Sequence, residues 1–228
     1  MTGAPAGVRT ALRGVPSAVL VDMDGTLVDT EDLWWQTEVA LFAEWGHRLD
    51  EKARGHVTGG PMERVVEYLL RTTGVDIGPS ELAALIGERF LRRLDEQIPL
   101  MPGAVELLSL LADSGIPVAL VTASRRDVAD LVLAALGRDR FAVSVSGDDV
   151  RRNKPCPDPY VAAATDLGAQ PRHCVAVEDS ITGVLAAEAA GCPVIVVPSV
   201  APIAHGPGRT VLPSLHRIDL ELLQRLVR

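Results

Sequence analysis

An apolar run that ends in two closely spaced carboxylates is the feature that most constrains the fold of this 228-residue chain. Residues 17–21 form the run, Asp22 and Asp24 follow it, and Gly25 comes next. A short, continuously apolar run is typical of a buried strand in a parallel sheet. Such sheets bind their ligands at the carboxyl ends of the strands. Because like charges held close together need a counter-ion or a raised pKa, the pair predicts a divalent metal, a nucleophile or both.

The composition excludes several classes of protein. Apolar residues make up 47% of the chain and charged residues 23%, which is typical of a globular domain. A formal net charge of -8 argues against nonspecific binding to nucleic acid, and no stretch is long and apolar enough for a membrane span. Three widely spaced cysteines favour reduced thiols, so we expect a cytoplasmic protein. Residues 1–16 predict a flexible N-terminal extension and not a signal peptide.

The apolar spacing divides the rest of the chain into two kinds of segment. Residues 32–98 carry helical periodicity around 34–45, 62–69 and 82–90, with Ser80 as the expected N-cap of the third helix. The polar stretch 50–54 within this segment reads as a solvated connection.

From residue 99 onward, helices alternate with short apolar strands, expected within residues 116–121, 141–146, 173–177 and 194–197. This alternation predicts an α/β fold whose parallel sheet is covered by helices on both faces. We therefore expect a Rossmann-like core of residues 17–31 and 99–228. A small helical cap of residues 32–98 is then inserted after the first strand, above its carboxyl end.

Chemically versatile residues follow four of the expected strands or lie in the loops after them. They are Asp22 with Asp24, the run Thr122-Ala123-Ser124, Lys154, and the pair Glu178-Asp179. Carboxylates suit Mg²⁺, whereas a hydroxyl, loop amides and a lysine suit phosphate oxygens. Because the carboxyl ends of parallel strands meet at one edge of the sheet, the set predicts phosphoryl chemistry.

Each feature alone has a simpler interpretation. The Asp22 stretch could be a turn, although a calcium loop would continue with further acids. Ser124 is expected to cap the helix that follows it, and Lys154 could be a solvated surface lysine. Glu178 and Asp179 could be a helix N-terminal acid pair. Coincidence of all four in this order favours an enzyme over a non-catalytic binding module.

The same motifs resemble those of the haloacid dehalogenase superfamily. The likeness is to the branch with a helical cap after the first strand, which includes β-phosphoglucomutase-like proteins and small-molecule phosphatases. It covers nearly the whole chain after Pro16. The motifs that carry it are residues 22–30, residues 122–124, residues 154–160, and residues 178–180 with Gly183 and residues 189–191.

The resemblance implies a role for each acid. Asp22 matches the nucleophile that becomes an aspartyl-phosphate, and Asp24 matches the general acid/base. Mg²⁺ would be held by the Asp22 carboxylate, the Asp24 backbone carbonyl and Asp179. Glu178 would ligate the ion directly or through water.

The resemblance also implies how the phosphoryl group is bound. Thr122 and the backbone amide of Ala123 would hold it, and Lys154 would neutralise its charge. The substrate would be a small phosphorylated metabolite, with no nucleic-acid or membrane partner. The chain itself would be a monomer or a weak homodimer.

Three other activities of this superfamily are disfavoured to different degrees. Dehalogenation needs neither Asp24 nor the metal, and C–P bond cleavage needs a lysine in the cap, where Lys52 stands in a polar stretch. Sugar phosphomutase is the serious alternative. The mutases have a histidine where Trp34 stands here and an arginine where an ungapped alignment places Met62. We therefore expect a phosphatase, in which water accepts the phosphoryl group.

The sequence gives less evidence for the cap residues that would contact the substrate than for the residues of the core motifs. Trp34 could line an apolar pocket, although packing in the core is the stronger expectation for it. A candidate substrate loop contains His56, Thr58 and Gly59, and Arg64 is a candidate second contact for an anion. The sequence does not identify the substrate.

Overall fold

The structure is a computed structural model, and it describes residues 14–58 and 62–228. Six strands form one sheet. They are β1 (Ala18–Val21), β2 (Val118–Val121), β3 (Val143–Val145), β4 (Cys174–Glu178), β5 (Val194–Val196) and β6 (Arg209–Val211). The strand order is β3-β2-β1-β4-β5-β6, and every neighbouring pair is parallel. The first strand therefore lies at the centre of the sheet, between β2 and β4.

Nine α-helices accompany these strands in the described ranges. They are α1 (Thr30–Glu44), α2 (Glu51–Val57), α3 (Met62–Thr73), α4 (Pro79–Glu96), α5 (Ala104–Asp113), α6 (Arg126–Leu136), α7 (Asp158–Asp166), α8 (Ile181–Ala190) and α9 (Leu220–Leu226). The first five come between β1 and β2 in the chain.

Both faces of the sheet are buried because successive side chains of each strand point to opposite sides. Val19 and Val21 of β1 pack in a cluster with apolar residues of α5, α6 and α9. Ala18 and Leu20 pack on the other side, in a cluster with residues of α7 and α8. The predicted fold class, a parallel α/β sheet with helices on both faces, is confirmed.

The helical segment, defined here as α1–α4, has an apolar cluster of its own. Leu41 and Phe42 of α1 pack there with residues of α2, α3 and α4. Phe90 and Leu94, near the end of α4, belong instead to a cluster of the sheet. The division into a cap of residues 32–98 and a core of residues 17–31 and 99–228 stays a prediction.

The stretch predicted to be a solvated connection is a helix, so that prediction was wrong. Residues 51–57 form α2, and the carboxylate of Asp50 caps it by accepting a 2.9 Å hydrogen bond from the Ala53 amide. Ala53 and Val57 are its buried residues. Two apolar positions in seven residues give no readable periodicity, which is why the sequence did not indicate the helix.

Two smaller predictions also differ from the structure. Helix α4 begins at Pro79 with Gly78 as its N-cap, so Ser80 lies inside the helix and does not cap it. β6, a half-buried strand of three residues at the edge of the sheet, was not predicted from the sequence. A strand this short, beginning with Arg209, lacks the apolar run that marks the inner strands.

The start of the chain is partly described. Of the predicted flexible extension, residues 1–13 lie outside the described residues, and Val15 packs against an apolar cluster of the sheet. Across the described residues, no helix has both the length and the apolar character needed to cross a membrane.

Candidate active site

Asp22 lies directly after β1 and is 5% exposed. Its Oδ1 accepts a 2.6 Å hydrogen bond from the ammonium of Lys154, while Oδ2 is buried without a hydrogen-bond partner among the described residues. Burial raises the pKa of Asp22 well above its ordinary value, although Lys154 acts in the opposite direction. One oxygen of the carboxylate is thus fixed by Lys154, and the hydrogen-bonding capacity of the other is unused among the described residues.

Lys154 is a buried lysine whose three donors are all used. Its side chain is 3% exposed, and Nζ donates to Asp22 at 2.6 Å, to Glu178 Oε1 at 2.7 Å and to the Val121 carbonyl at 2.9 Å. Burial alone would lower the pKa of Lys154, but the two carboxylates outweigh it and raise the pKa. The ammonium therefore stays charged beside Asp22.

Asp24 is held by two hydroxyl groups from the end of β2. Its Oδ2 accepts hydrogen bonds from Thr122 Oγ1 at 2.9 Å and from Ser124 Oγ at 2.7 Å. Ser124 was expected to cap the following helix, but its hydroxyl instead binds Asp24, and α6 has Arg125 at its N-cap with no side-chain cap. This corrects the sequence-based role of Ser124.

Gly25 brings Asp179 close to the turn after β1. Its φ of +80° lies in the left-handed region that favours glycine. A Cβ at this position would collide with the carboxylate of Asp179 and the hydroxyl of Ser199. Ser199 Oγ in turn donates a hydrogen bond to Asp179 Oδ2. The turn therefore needs glycine both for its backbone angle and for space.

Glu178 is fully buried, and both of its oxygens accept hydrogen bonds from the protein. Oε1 accepts from Lys154 and, at 2.6 Å, from the hydroxyl of Tyr160. Oε2 accepts from the Asp179 amide at 3.2 Å and from the Ser180 hydroxyl at 3.2 Å. Glu178 thus links Lys154 to the start of α8.

The carboxylates of Asp22, Glu178 and Asp179 lie within 4.8 Å of one another and could hold a metal ion. Burial raises the pKa of Asp179 to about 7, so without a cation the cluster resists full ionisation. The unpartnered Oδ2 of Asp22 supplies a free hard-oxygen ligand. The residues present therefore fit a divalent ion such as Mg²⁺, with Asp22 and Asp179 better placed to bind it than the fully hydrogen-bonded Glu178.

A cavity of about 670 Å³ opens at this edge of the sheet. Asp22, Asp24, Ala123, Lys154 and Asp179 line its polar side. Its other side is apolar and comes from the start of α8 and the loop after β5, with Ile181, Val200, Ala201, Pro202 and Ile203. Thr122, which was predicted to touch the phosphoryl group, is fully buried and does not line the cavity.

The described cap residues that were predicted to contact the substrate do not gather around the 670 Å³ cavity. Trp34 stacks on Phe90 with ring centroids 3.7 Å apart, and His56 stacks on Tyr68 at 4.6 Å. Neither lines the 670 Å³ cavity. Arg64 is exposed and donates a 3.3 Å hydrogen bond to the Thr58 carbonyl, and Gly59 lies outside the described residues. Their roles as substrate contacts stay predictions.

A smaller cavity of about 290 Å³ lies beside Gly25 and contains Thr58. Its lining also includes Arg54 and the carboxylates of Asp29, Glu31 and Asp32. The guanidinium of Arg54 donates to Asp32 at 3.0 Å and lies 5.7 Å from the ring centroid of Trp35. This cavity is the point at which α2 reaches the neighbourhood of the catalytic residues.

Sequence reasoning missed three polar residues near the site: Tyr160, Ser199 and Arg54. Ser199 follows β5, so the rule that ligands collect after parallel strands could have found it. Tyr160 belongs to the motif that begins at Lys154, and its place in that motif was the available signal. Arg54 gave no signal, because α2 itself was not predicted.

Phosphate-ester hydrolysis is the chemistry that fits this edge of the sheet, and comparison with known proteins agrees. A family model described as haloacid dehalogenase-like hydrolase matches residues 16–191. The chain belongs to this family, and it is a phosphatase. Hexitol phosphatase B of Escherichia coli K12 is 34% identical over 198 residues, which cover 86% of this chain and 88% of that protein.

Solved structures give the same family. CbbY from Rhodobacter sphaeroides, in complex with xylulose-1,5-bisphosphate, has a TM-score of 0.71 and 30% identity, covering 89% of this chain and 96% of that one. A putative β-phosphoglucomutase from Thermotoga maritima has a TM-score of 0.76 and 27% identity, covering 92% and 97%.

Proposed function

We propose that this chain is a Mg²⁺-dependent phosphatase that hydrolyses the phosphate monoester of a small sugar or polyol through an aspartyl-phosphate on Asp22. One observation carries the proposal above the others. Asp22 is buried at the mouth of a cavity, with one oxygen bound to Lys154 and the other without a partner among the described residues. A carboxylate in this state is a fixed nucleophile.

In the first step a carboxylate oxygen of Asp22 attacks phosphorus, and the bond to the ester oxygen breaks. The positive charge of Lys154, 2.6 Å from the other oxygen, favours the negative charge that gathers around the phosphoryl group. The Ala123 amide, at the cavity wall, is a candidate donor to that group. Thr122 contributes by binding Asp24.

Asp24 acts as the general acid in the first step and as the general base in the second. It gives a proton to the departing ester oxygen and then takes one from the water that attacks the aspartyl-phosphate, which releases inorganic phosphate and restores Asp22. The hydroxyls of Thr122 and Ser124 fix its Oδ2. This leaves the carboxyl group oriented toward the cavity that it lines.

Mg²⁺ would be held by the carboxylates of Asp22 and Asp179 and by the backbone carbonyl of Asp24, with Glu178 beside them. A divalent ion held by these residues would supply positive charge to offset the negative charge that develops on the phosphoryl group. Ser199 keeps Asp179 in place through its hydrogen bond.

The charge of the smaller cavity favours a monophosphate over a bisphosphate. Asp29 and Asp32 line this cavity together with one guanidinium, that of Arg54, which is already paired with Asp32. Carboxylates repel a second phosphate but accept hydrogen bonds from hydroxyl groups. Hexitol phosphatase B, by its name, acts on a phosphorylated polyol. We extend that substrate class to this chain.

Water is the proposed acceptor of the phosphoryl group. A phosphomutase must hold its substrate through two turns of reaction, and the mutases of this branch resemble this chain but place a histidine at the position of Trp34. Here that side chain stacks on Phe90 and offers no imidazole. A cytoplasmic location and a monomeric or weakly dimeric state also stay predictions.

Phosphate release from a panel of esters tests the proposal. The panel includes hexitol and hexose monophosphates, matched bisphosphates and p-nitrophenyl phosphate, each assayed with Mg²⁺ and with EDTA. We expect release with Mg²⁺, loss in EDTA, recovery when Mg²⁺ is returned, and a preference for monophosphates. Equal rates with Mg²⁺ and EDTA would contradict it. Isomerisation of a sugar 1-phosphate in the presence of a 1,6-bisphosphate, without phosphate release, would instead establish the mutase.

A further inference from the structure

A second cavity, of about 500 Å³, lies in the helical segment and contains none of the catalytic residues. It is formed by the loop after α1, by α2 and by the second half of α3. The residues that line it are His47, Arg48, Leu49, Asp50, Lys52, Ala53, His56, Tyr68, Arg71, Thr72 and Thr73. Its volume is in the range of small-molecule sites.

The charge of this cavity is opposite to that of the chain. The chain has a formal net charge of -8, yet this cavity holds three permanent cations, Arg48, Lys52 and Arg71, together with two histidines and a single acid. That acid, Asp50, already accepts a hydrogen bond from the Ala53 amide. Lys52 is one of two lysines in the sequence.

Among the residues that the structure describes, these three cations lack counter-ions. Within residues 14–58 and 62–228, none of Arg48, Lys52 and Arg71 has a carboxylate within 4.0 Å. Eight other arginines of the described residues do form ion pairs, as Arg89 does with Glu44. Like charges gathered without a counter-ion are balanced by an anion from solution.

The cavity is separated from the catalytic site by α2 itself. Lys52 and His56 are one turn apart on the face of α2 that lines this cavity. Arg54 and Thr58, about half a turn away, line the smaller cavity beside Gly25. An anion in the basic cavity would therefore contact the opposite side of α2 from the substrate.

We propose that this basic cavity is a second anion site, which binds a small phosphorylated metabolite carrying more than one negative charge. Guanidinium and ammonium groups match phosphate oxygens, and the two imidazoles add N–H donors. His56 is supported by its stack on Tyr68. The ligand is distinct from the substrate, because the acids of the smaller cavity disfavour a second phosphate there whereas the basic cavity favours one.

Titration with inorganic pyrophosphate, in the absence of Mg²⁺, tests this site directly. Binding is followed by calorimetry and by the imidazole NMR signals of His56 and His47. The variant K52A/R71A removes two exposed cations of the cavity. The control R92A/R225A removes two exposed cations from α4 and α9, outside the cavity, and so changes the net charge equally.

We expect pyrophosphate to shift the His56 signal in the wild type and in the control, and the affinity read from that shift to fall by roughly tenfold or more in K52A/R71A. Raising the ionic strength should weaken the binding. An unshifted His56 signal in the wild type, or the same affinity in K52A/R71A as in the control, would overturn the proposal. Binding at the catalytic site is common to all three proteins, so this result does not depend on the proposed phosphatase activity.

Discussion

Lys154 supplies the positive charge that offsets the buried carboxylates of the site. Its ammonium neutralises Asp22 and Glu178, two buried carboxylates that otherwise repel each other. Removing one partner of such a buried network leaves the remaining charges without compensation, which costs far more than losing a surface pair. Lys154 therefore stabilises the fold as well as the reacting groups.

Replacing Lys154 by alanine is expected to destabilise the protein by about 3–5 kcal/mol at neutral pH. Replacing Lys52, the other lysine and an exposed one, should change stability by less than about 0.5 kcal/mol. Urea unfolding of both variants measures the difference. Equal losses would show that the buried network does not stabilise the fold.

The site residues that sequence reasoning could place are those in the loops at the carboxyl edge of the sheet. The structure brings Asp22, Lys154 and Asp179 together because the parallel strands all end at this edge. Which oxygens are free was not predictable. The full hydrogen bonding of Glu178 depends on Tyr160, and the binding of Ser124 to Asp24 depends on a long-range approach of two loops.

At the scale of elements, the turn between β1 and α1 sets the distance between the first acids and Asp179. Gly25 and Gly46 allow this to be tested, because their φ angles are +80° and +79°. A Cβ at Gly46 would meet open space, whereas one at Gly25 would collide with Asp179. The two positions thus share the backbone conformation and differ in their surroundings.

G46A is expected to lose about 1–2 kcal/mol of stability from the left-handed backbone alone and to keep its phosphatase activity. G25A should lose more stability and most of the activity, since Asp179 and Ser199 must move. Unfolding curves and phosphate release are measured side by side. Similar losses of activity in the two variants would refute a special role for this turn.

Helix α1 carries a buried glutamate that makes stability depend on pH. Glu38 is 3% exposed, and its Oε2 has no hydrogen-bond partner within the described part of the chain. Burial, with a smaller effect of Glu31, raises the pKa of Glu38 from 4.5 to about 8. Between these values the folded chain holds a proton that the unfolded chain has lost. Stability from this group is therefore complete below pH 4.5 and is lost as the pH rises to about 8.

E38Q should remove this dependence, because the amide does not ionise. Relative to the wild type, we expect the variant to be more stable by roughly 3–5 kcal/mol at pH 9 and nearly unchanged at pH 4. Urea unfolding at both pH values gives the difference, with E67Q, at an exposed position of α3, as the control. A difference that is the same at pH 4 and pH 9 would contradict the buried, protonated state of Glu38.

The elements that the sequence predicted and those it missed differ in how much apolar surface they bury. β1, β2 and β4 are fully buried and give continuous apolar runs. α2 and β6 are short and bury few or no residues, so their positions come from capping and strand pairing. Pattern reading detects the first kind of element and not the second.

At the scale of the whole molecule, chemistry and recognition come from different parts of the chain. The carboxyl edge of the sheet supplies the reacting groups, and α2 of the helical segment borders both the acidic cavity beside Gly25 and the basic cavity on its other face. The family is evident from the sheet edge. The substrate depends on short polar elements such as α2, which explains why the sequence did not identify it.

In the proposed reaction Asp22 carries the phosphoryl group during turnover. The direct measurement is rapid acid quenching of the enzyme with Mg²⁺ and its best ester from the panel, followed by mass spectrometry of the peptides. D127N, a change at a partly exposed aspartate of α6, is the control. We expect one phosphoryl group on Asp22 in the wild type and in D127N, and none in D22N, with phosphate release reduced at least roughly 1,000-fold in D22N. Turnover by D22N at the wild-type rate, or a phosphoryl group on another residue, would contradict it.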